Sequence, residues 1–203
     1  MDWQLVGIVL VVLCFASLIY TEVQKRVVFS TYERLFGEGD FEGCVRLLER
    51  PVVKLVYPRY NQLYMRLNAQ MCLDNTQEAR RIIEEMLGLR TSDEQRLVLL
   101  VRAFNFFVEQ EDFDRARELL EELRQKADPE QLAECERTYA IFAEKSSAYV
   151  DQMEAELREA SGPERTRLLY LLSVQYENQG DDRRAREYLD RVQDAFEVPS
   201  GTE

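Results

Sequence analysis

Histidine is missing from all 203 residues. Without an imidazole the chain cannot build a Ser-His-Asp or Cys-His nucleophile, a His-ligated zinc site or a histidine general base. Glycine and proline are scarce, at eight and five, too few for a sandwich or barrel built on many tight turns. Cysteine occurs four times and never as C-x-x-C. Outside the N-terminal apolar segment Cys44, Cys72 and Cys135 are isolated and odd in number, as expected in a reducing compartment. No N-x-S/T sequon, G-x-S-x-G elbow or G-x-x-x-x-G-K-[ST] loop occurs. Gly37-x-Gly39-x-x-x-Gly43 is one residue too long for a dinucleotide fingerprint, and Glu38, Asp40 and Glu42 would repel phosphate. It reads as a hairpin turn. Positive charge is also short, with 26 Lys and Arg against 38 Asp and Glu. A net charge of −12 makes nucleic acid a poor partner.

What is present begins with an apolar run. Trp3 to Thr21 are nineteen residues without a charge. As a helix they would extend roughly 28 Å, close to a ~30 Å hydrocarbon core. Trp3 and Tyr20 stand at its ends, where amphipathic rings favour the interface. A cleaved signal peptide fits less well, because Asp2 is the only charge before the run and no A-x-A-like site follows it. The expectation is a transmembrane helix over 3–21, a juxtamembrane linker over 22–27, and contact with the lipid bilayer through residues 3–21. Residues 25–60 carry seven basic and five acidic side chains, whereas 61–203 carry nineteen and thirty-one. Lys25 and Arg26 directly after the run bias the bulk of the chain to the cytoplasmic side.

Beyond residue 27 the apolar spacing is helical throughout. Gly39-Asp40, Asp74-Asn75, Glu111-Asp112 and Gly180-Asp181 each separate two amphipathic stretches, and Asp128-Pro129 reads as an N-cap followed by proline at the first helical position. Ser92 to Gln95 fits a capping box. Small residues follow the turns at Cys44, Ala79, Ala116 and Ala185, in steps of 35, 37 and 69. A degenerate unit near Tyr149 splits the last step into 33 and 36. The turn before Ala79 reads as one residue short, and the Ala140–Leu157 unit lacks the Gly-Asp-aromatic signature.

A period near 34 residues with two helices per period resembles the tetratricopeptide repeat. Leu172, Ser173, Tyr176, Gly180, Asp181, Ala185, Leu189 and Val192 fall at that family's spacings. Tyr32 through Gly39-Asp40-Phe41 and Cys44 to Leu48 match its second half, and Phe104, Phe107, Phe113, Ala116 and Leu120 match a third unit. The resemblance implies an all-α fold, a right-handed α-solenoid of about five hairpins over 28–196; the residues 197–203 themselves read as a disordered tail. The order of parts is similar to single-pass membrane proteins with an N-terminal anchor and a repeat array, such as lipopolysaccharide assembly protein B. That protein adds a metal module built on paired C-x-x-C motifs, which this sequence lacks.

Such an array carries a groove lined by the first helix of each pair. By register the inward positions are Phe29, Glu33, Met65, Ala69, Val101, Asn105, Tyr170 and Val174, a largely apolar set suited to an amphipathic helix or extended peptide. Repeat domains that clamp a C-terminal carboxylate carry Lys and Asn where Phe29 and Glu33 stand here, so that mode is not supported. Tyr57, Tyr60 and Tyr64 would share one helix face beside Arg59, for packing between repeats or, alternatively, as a binding hot spot. Asp112 and Asp114 read as turn and cap residues rather than a calcium loop. No catalytic, cofactor or metal residue is assigned, and the chain is not expected to be an enzyme. The function expected is a membrane-anchored adaptor for protein partners at the membrane. The alternative is a structural or assembly subunit of a larger membrane complex. The partner's identity and the oligomeric state stay open.

Overall fold

The computed structural model describes residues 3–196, with the side chains of 3–6, 8, 9, 11 and 196 outside the description. The expected tail, 197–203, lies outside the described residues. Eleven helices follow in order: α1 (Trp3–Gly37), α2 (Phe41–Leu48), α3 (Pro51–Val56), α4 (Arg59–Cys72), α5 (Thr76–Leu87), α6 (Asp93–Glu109), α7 (Phe113–Lys126), α8 (Pro129–Phe142), α9 (Val150–Glu159), α10 (Gly162–Asn178) and α11 (Asp182–Phe196). No strand occurs among the described residues. The chain divides into two compact units at Ser92/Asp93.

Four hairpin turns share one construction. Gly39, Asp74, Glu111 and Gly180 take φ of 76°, 52°, 55° and 77°. The next residue donates its N–H five residues back: Asp40 to Leu35, Asn75 to Gln70, Asp112 to Phe107 and Asp181 to Tyr176, all at 2.9–3.0 Å. This is a Schellman closure of the first helix. The same residue's side chain then caps the second helix, accepting from the N–H of Gly43 (2.7 Å), Glu78 (3.3 Å), Arg115 (3.3 Å) and Arg184 (3.0 Å). One Asp or Asn therefore ends one helix and starts the next. The turn before Ala79 has the same length as the others, contrary to its sequence reading. Asp74 tolerates the left-handed conformation that glycine takes in two of the other turns, so the missing glycine does not shorten it. At Gly43 a Cβ would meet the capping Asp40 carboxylate, so a larger residue there needs that side chain to shift.

Glu111 has neither the side chain nor the freedom that left-handed backbone favours. Replacing it, Glu111→Gly, should raise stability by about 0.5–1 kcal/mol, the relief of strain less the added chain entropy. Thermal unfolding followed by circular dichroism checks this, and an unchanged or lower midpoint would contradict the turn geometry.

In the first unit α2 packs on the C-terminal part of α1, α3 lies against α1, and α4 pairs with α2 and α5. Val28, Tyr32, Cys44, Leu47, Leu48, Val53, Met65 and Ala69 form its core. Tyr32 donates to the Met65 carbonyl at 2.7 Å. Residues 22–27 continue α1 without a break. Among the described residues no helix is long and apolar enough to cross a membrane. The expected span, 3–21, falls partly outside the described side chains. From Leu10 to Tyr20 the described large apolar side chains are exposed, Ile19 by 64%.

The three tyrosines do not share a helix face. Pro58 separates α3 from α4 and holds the preceding residue extended, so Tyr57 is the C-cap of α3 at φ −106°, ψ 138°. Its hydroxyl donates to the Lys25 carbonyl at 2.7 Å. Tyr60 and Tyr64 stack with centroids 6.1 Å apart, and Arg59 pairs with Glu85 on α5.

In the second unit α6 pairs with α7 and α10 with α11, around the fully buried Ala103, Phe104, Phe107, Ala116, Leu123 and Leu172. The small residues Ala79 and Ala116 are buried as expected, and Ala185 partly so. Glu154 on α9 accepts from the Tyr176 and Tyr188 hydroxyls at 2.6 and 2.9 Å. These bonds favour its charged form and hold its carboxyl below the ordinary range. Burial, reinforced by that carboxylate, pushes the Tyr188 phenol up to about 12.

Candidate functional site: a cleft beside the irregular hairpin

The fourth hairpin breaks the pattern, and the reason is local. Between α8 and α9 the chain runs through Ala143–Tyr149 with no glycine followed by a capping Asp or Asn. Lys145 takes φ 54° and Ser146 N–H returns to the Ala140 carbonyl, but no side chain caps α9. The two helices do not make the close pair seen in the other hairpins. α8 packs instead on α6, α7 and α10, and α9 on α10.

The result is a cleft of about 1110 Å³. Its walls are Val101 and Asn105 from α6, the inner face of α8 from Gln131 to Thr138, Gln152 and Glu156 from α9, and Glu164, Arg167 and Leu171 from α10. Arg137 spans the gap: its side chain is only 12% exposed, and it donates to Glu156 at 3.0 Å and Glu134 at 2.6 Å. Arg167 bridges Glu134 and Glu164, the latter at 2.7 Å. That hydrogen-bonded pairing with Arg167 holds the Glu164 carboxyl below its usual range. Both arginines are thus committed to carboxylates, while Asp128, Glu130, Glu134, Glu156 and Glu164 all line the space, a surplus of three negative charges. Gln131 Oε1 is buried without a hydrogen-bond partner. Cys135 in the same wall is no nucleophile, since burial and the flanking Glu134 and Glu136 raise its thiol to about 11.

Of the positions read as a groove, Val101 and Asn105 line this cleft, as does Leu171. Tyr170 is 46% exposed and lies against Phe142 at 6.1 Å, outside the lining. Val174 packs against the core of α9 and α10. Phe29 and Glu33 are exposed on α1. Met65 and Ala69 are corrected: both are buried in the first unit's core, packed with Val28 and Tyr32 of α1, Cys44 and Leu47 of α2 and Val53 of α3. The ion-pair network of Arg137 and Arg167 was missed from sequence. The loss of the Gly-Asp-aromatic signature after Ala140 was the available signal, since it marks where the hairpin opens.

No group of three or more Cys, Asp or Glu is placed to hold a metal among the described residues. Asp112 caps α7 and Asp114 pairs with Arg117 at 2.8 Å. All four cysteines are free thiols, Cys44 and Cys135 buried, Cys14 and Cys72 exposed.

No family model matches the chain, and no curated protein matches it. Among solved structures it is similar to a protein of Podosopora anserina described as a kinesin light chain with nearly identical TPR-like repeats. The match has a TM-score of 0.55 at 20% identity and covers 84% of this chain and 93% of that one. At that identity the likeness carries the fold alone. The fold is a TPR-like helical-hairpin repeat.

Proposed function

We propose that this chain is a membrane-tethered adaptor that holds a protein partner in the cleft between α6, α8, α9 and α10. The observation that carries the reading is the cleft itself, an open space walled by three first helices at the one hairpin that does not close. Its apolar patches, Val101 and Leu171, lie beside surplus carboxylates and the unsatisfied Gln131 oxygen, a lining that suits a peptide segment bearing Lys or Arg. The tether is the apolar run 3–21. Its uncharged length and the exposure of its described side chains support a bilayer as their solvent. Lys25 and Arg26 favour a cytoplasmic repeat domain. Confinement to a surface raises the effective concentration of a membrane-associated partner without any new contact.

A photo-crosslinking side chain placed at Asn105, which is exposed on the cleft wall, tests the reading in native membranes. It should yield a discrete adduct that a probe at Arg117, on the exposed side of α7, does not. Glu130→Lys with Ala133→Lys, both exposed positions on α8, cancels the cleft's surplus charge without replacing a partner of Arg137 or Arg167, and should reduce the adduct about tenfold or more. A pattern of adducts independent of position, or unaffected by the charge change, would remove the cleft as the docking site.

A further inference from the structure

One feature of the first unit is unused by the cleft. α3 is short, yet it is fastened at a definite height on α1. Tyr57 closes its C-terminus and donates to the Lys25 carbonyl at 2.7 Å, while Val53 is buried in one core with Val28 of α1. Lys25 lies four residues beyond Thr21, so along a continuous helix it stands ~6 Å above the end of the apolar run. The headgroup layer of one leaflet is roughly 5–7 Å deep, the difference between full and hydrocarbon thickness shared by two faces.

Val53 and Val56 point into the core, which leaves Lys54 and Leu55 outward. Leu55 is 75% exposed, more than any described large apolar side chain of the apolar run. Arg50 and Lys54 beside it are exposed and make no ion pair among the described residues. Lys25 and Arg26, weakly paired with Glu22 at 3.9 and 3.7 Å, sit at the same height. An apolar tip flanked by cations is the composition of an element that lies in a bilayer interface, with the hydrocarbon side chain sunk and the charges on anionic headgroups.

We infer that α3 is a second membrane contact, with Leu55 entering the interface of the leaflet that α1 leaves and Arg50, Lys54, Lys25 and Arg26 binding anionic phospholipid. The inference rests on the tether proposed above. Its consequence is orientation: with α1 unbroken into the first unit and α3 touching the same surface, that unit is held at two points and cannot swivel about a linker.

The chain has one tryptophan, Trp3, so Trp3→Phe provides a silent background. On it, Leu55→Trp reports on α3 and Ile19→Trp reports on the tether, each in the full chain reconstituted into vesicles with acyl chains brominated near the headgroup. With phosphatidylglycerol present, the position-55 reporter should be blue-shifted and quenched. Pure phosphatidylcholine, or Arg50→Glu with Lys54→Glu, should lower that quenching about twofold or more. A position-19 reporter that is quenched while position 55 stays at the water-exposed emission in both vesicle types would overturn the α3 contact and leave the tether standing. Equal quenching at position 55 in both compositions would overturn the role of anionic lipid. An unquenched position-19 reporter would overturn the tether and the inference together.

Discussion

Phe104→Ala should lower the stability of the 93–203 unit by about 3–5 kcal/mol, the usual cost of removing a fully enclosed ring and leaving a cavity. Phe104 is 0% exposed on α6, in a run of buried positions with Leu100, Ala103 and Phe107. A domain of this size has about 5–15 kcal/mol in total, so the loss is a large share of the whole. With a urea m-value near 2 kcal/mol/M, the midpoint should fall by about 2 M at unchanged slope. Tyr170→Ala is the internal control: its ring is 46% exposed, and the cost should stay below about 1.5 kcal/mol. Equal costs at the two sites would mean that Phe104 is not enclosed in solution.

The other large effect tests the proposed tether. Leu10→Arg with Leu13→Arg places two guanidinium groups near the middle of the apolar run. On insertion scales each arginine costs about 2.5–3.5 kcal/mol and each leucine lost about 0.5, so together the change approaches 6–8 kcal/mol. The double variant should move from the membrane pellet to the supernatant on alkaline carbonate extraction, with the helical signal of the repeat units retained. Extraction of the unmodified chain under the same conditions would refute the tether, and with it the two-dimensional confinement of the partner. The two large predictions are independent: Phe104 reports on the buried core of the second unit, whereas Leu10 and Leu13 are 58% and 59% exposed and belong to no described core.

Much of the architecture was readable because it is encoded locally. A residue able to take positive φ, followed by Asp or Asn, closes one helix and caps the next through contacts within five residues, so Gly39-Asp40, Asp74-Asn75, Glu111-Asp112 and Gly180-Asp181 announce the hairpins directly. Even Asp74 could have been read correctly, since the spacing from its cap to the following small residue equals that of the other turns. Pro58 likewise forbids a common helix face for Tyr57 and Tyr60, a boundary rule that periodicity alone overrode. Met65 and Ala69 failed for a different reason. Register says which side of a helix is apolar, but whether that side meets a groove or a third helix depends on neighbours distant in sequence, and α3 was one neighbour that no repeat pattern foretold.

The sequence by itself determined the class of object: helices, their order, their caps, the paired turns and a long uncharged run at the front, because each follows from backbone conformation and side-chain polarity within a few residues. Only the tertiary structure decided where space remains. The cleft exists because α8 and α9 do not close on each other and Arg137 and Arg167 hold their carboxylates across the gap, and α3 stands at the height of Lys25 because one tyrosine hydroxyl reaches a carbonyl 32 residues away. Such placements depend on packing between distant segments, which no local pattern specifies.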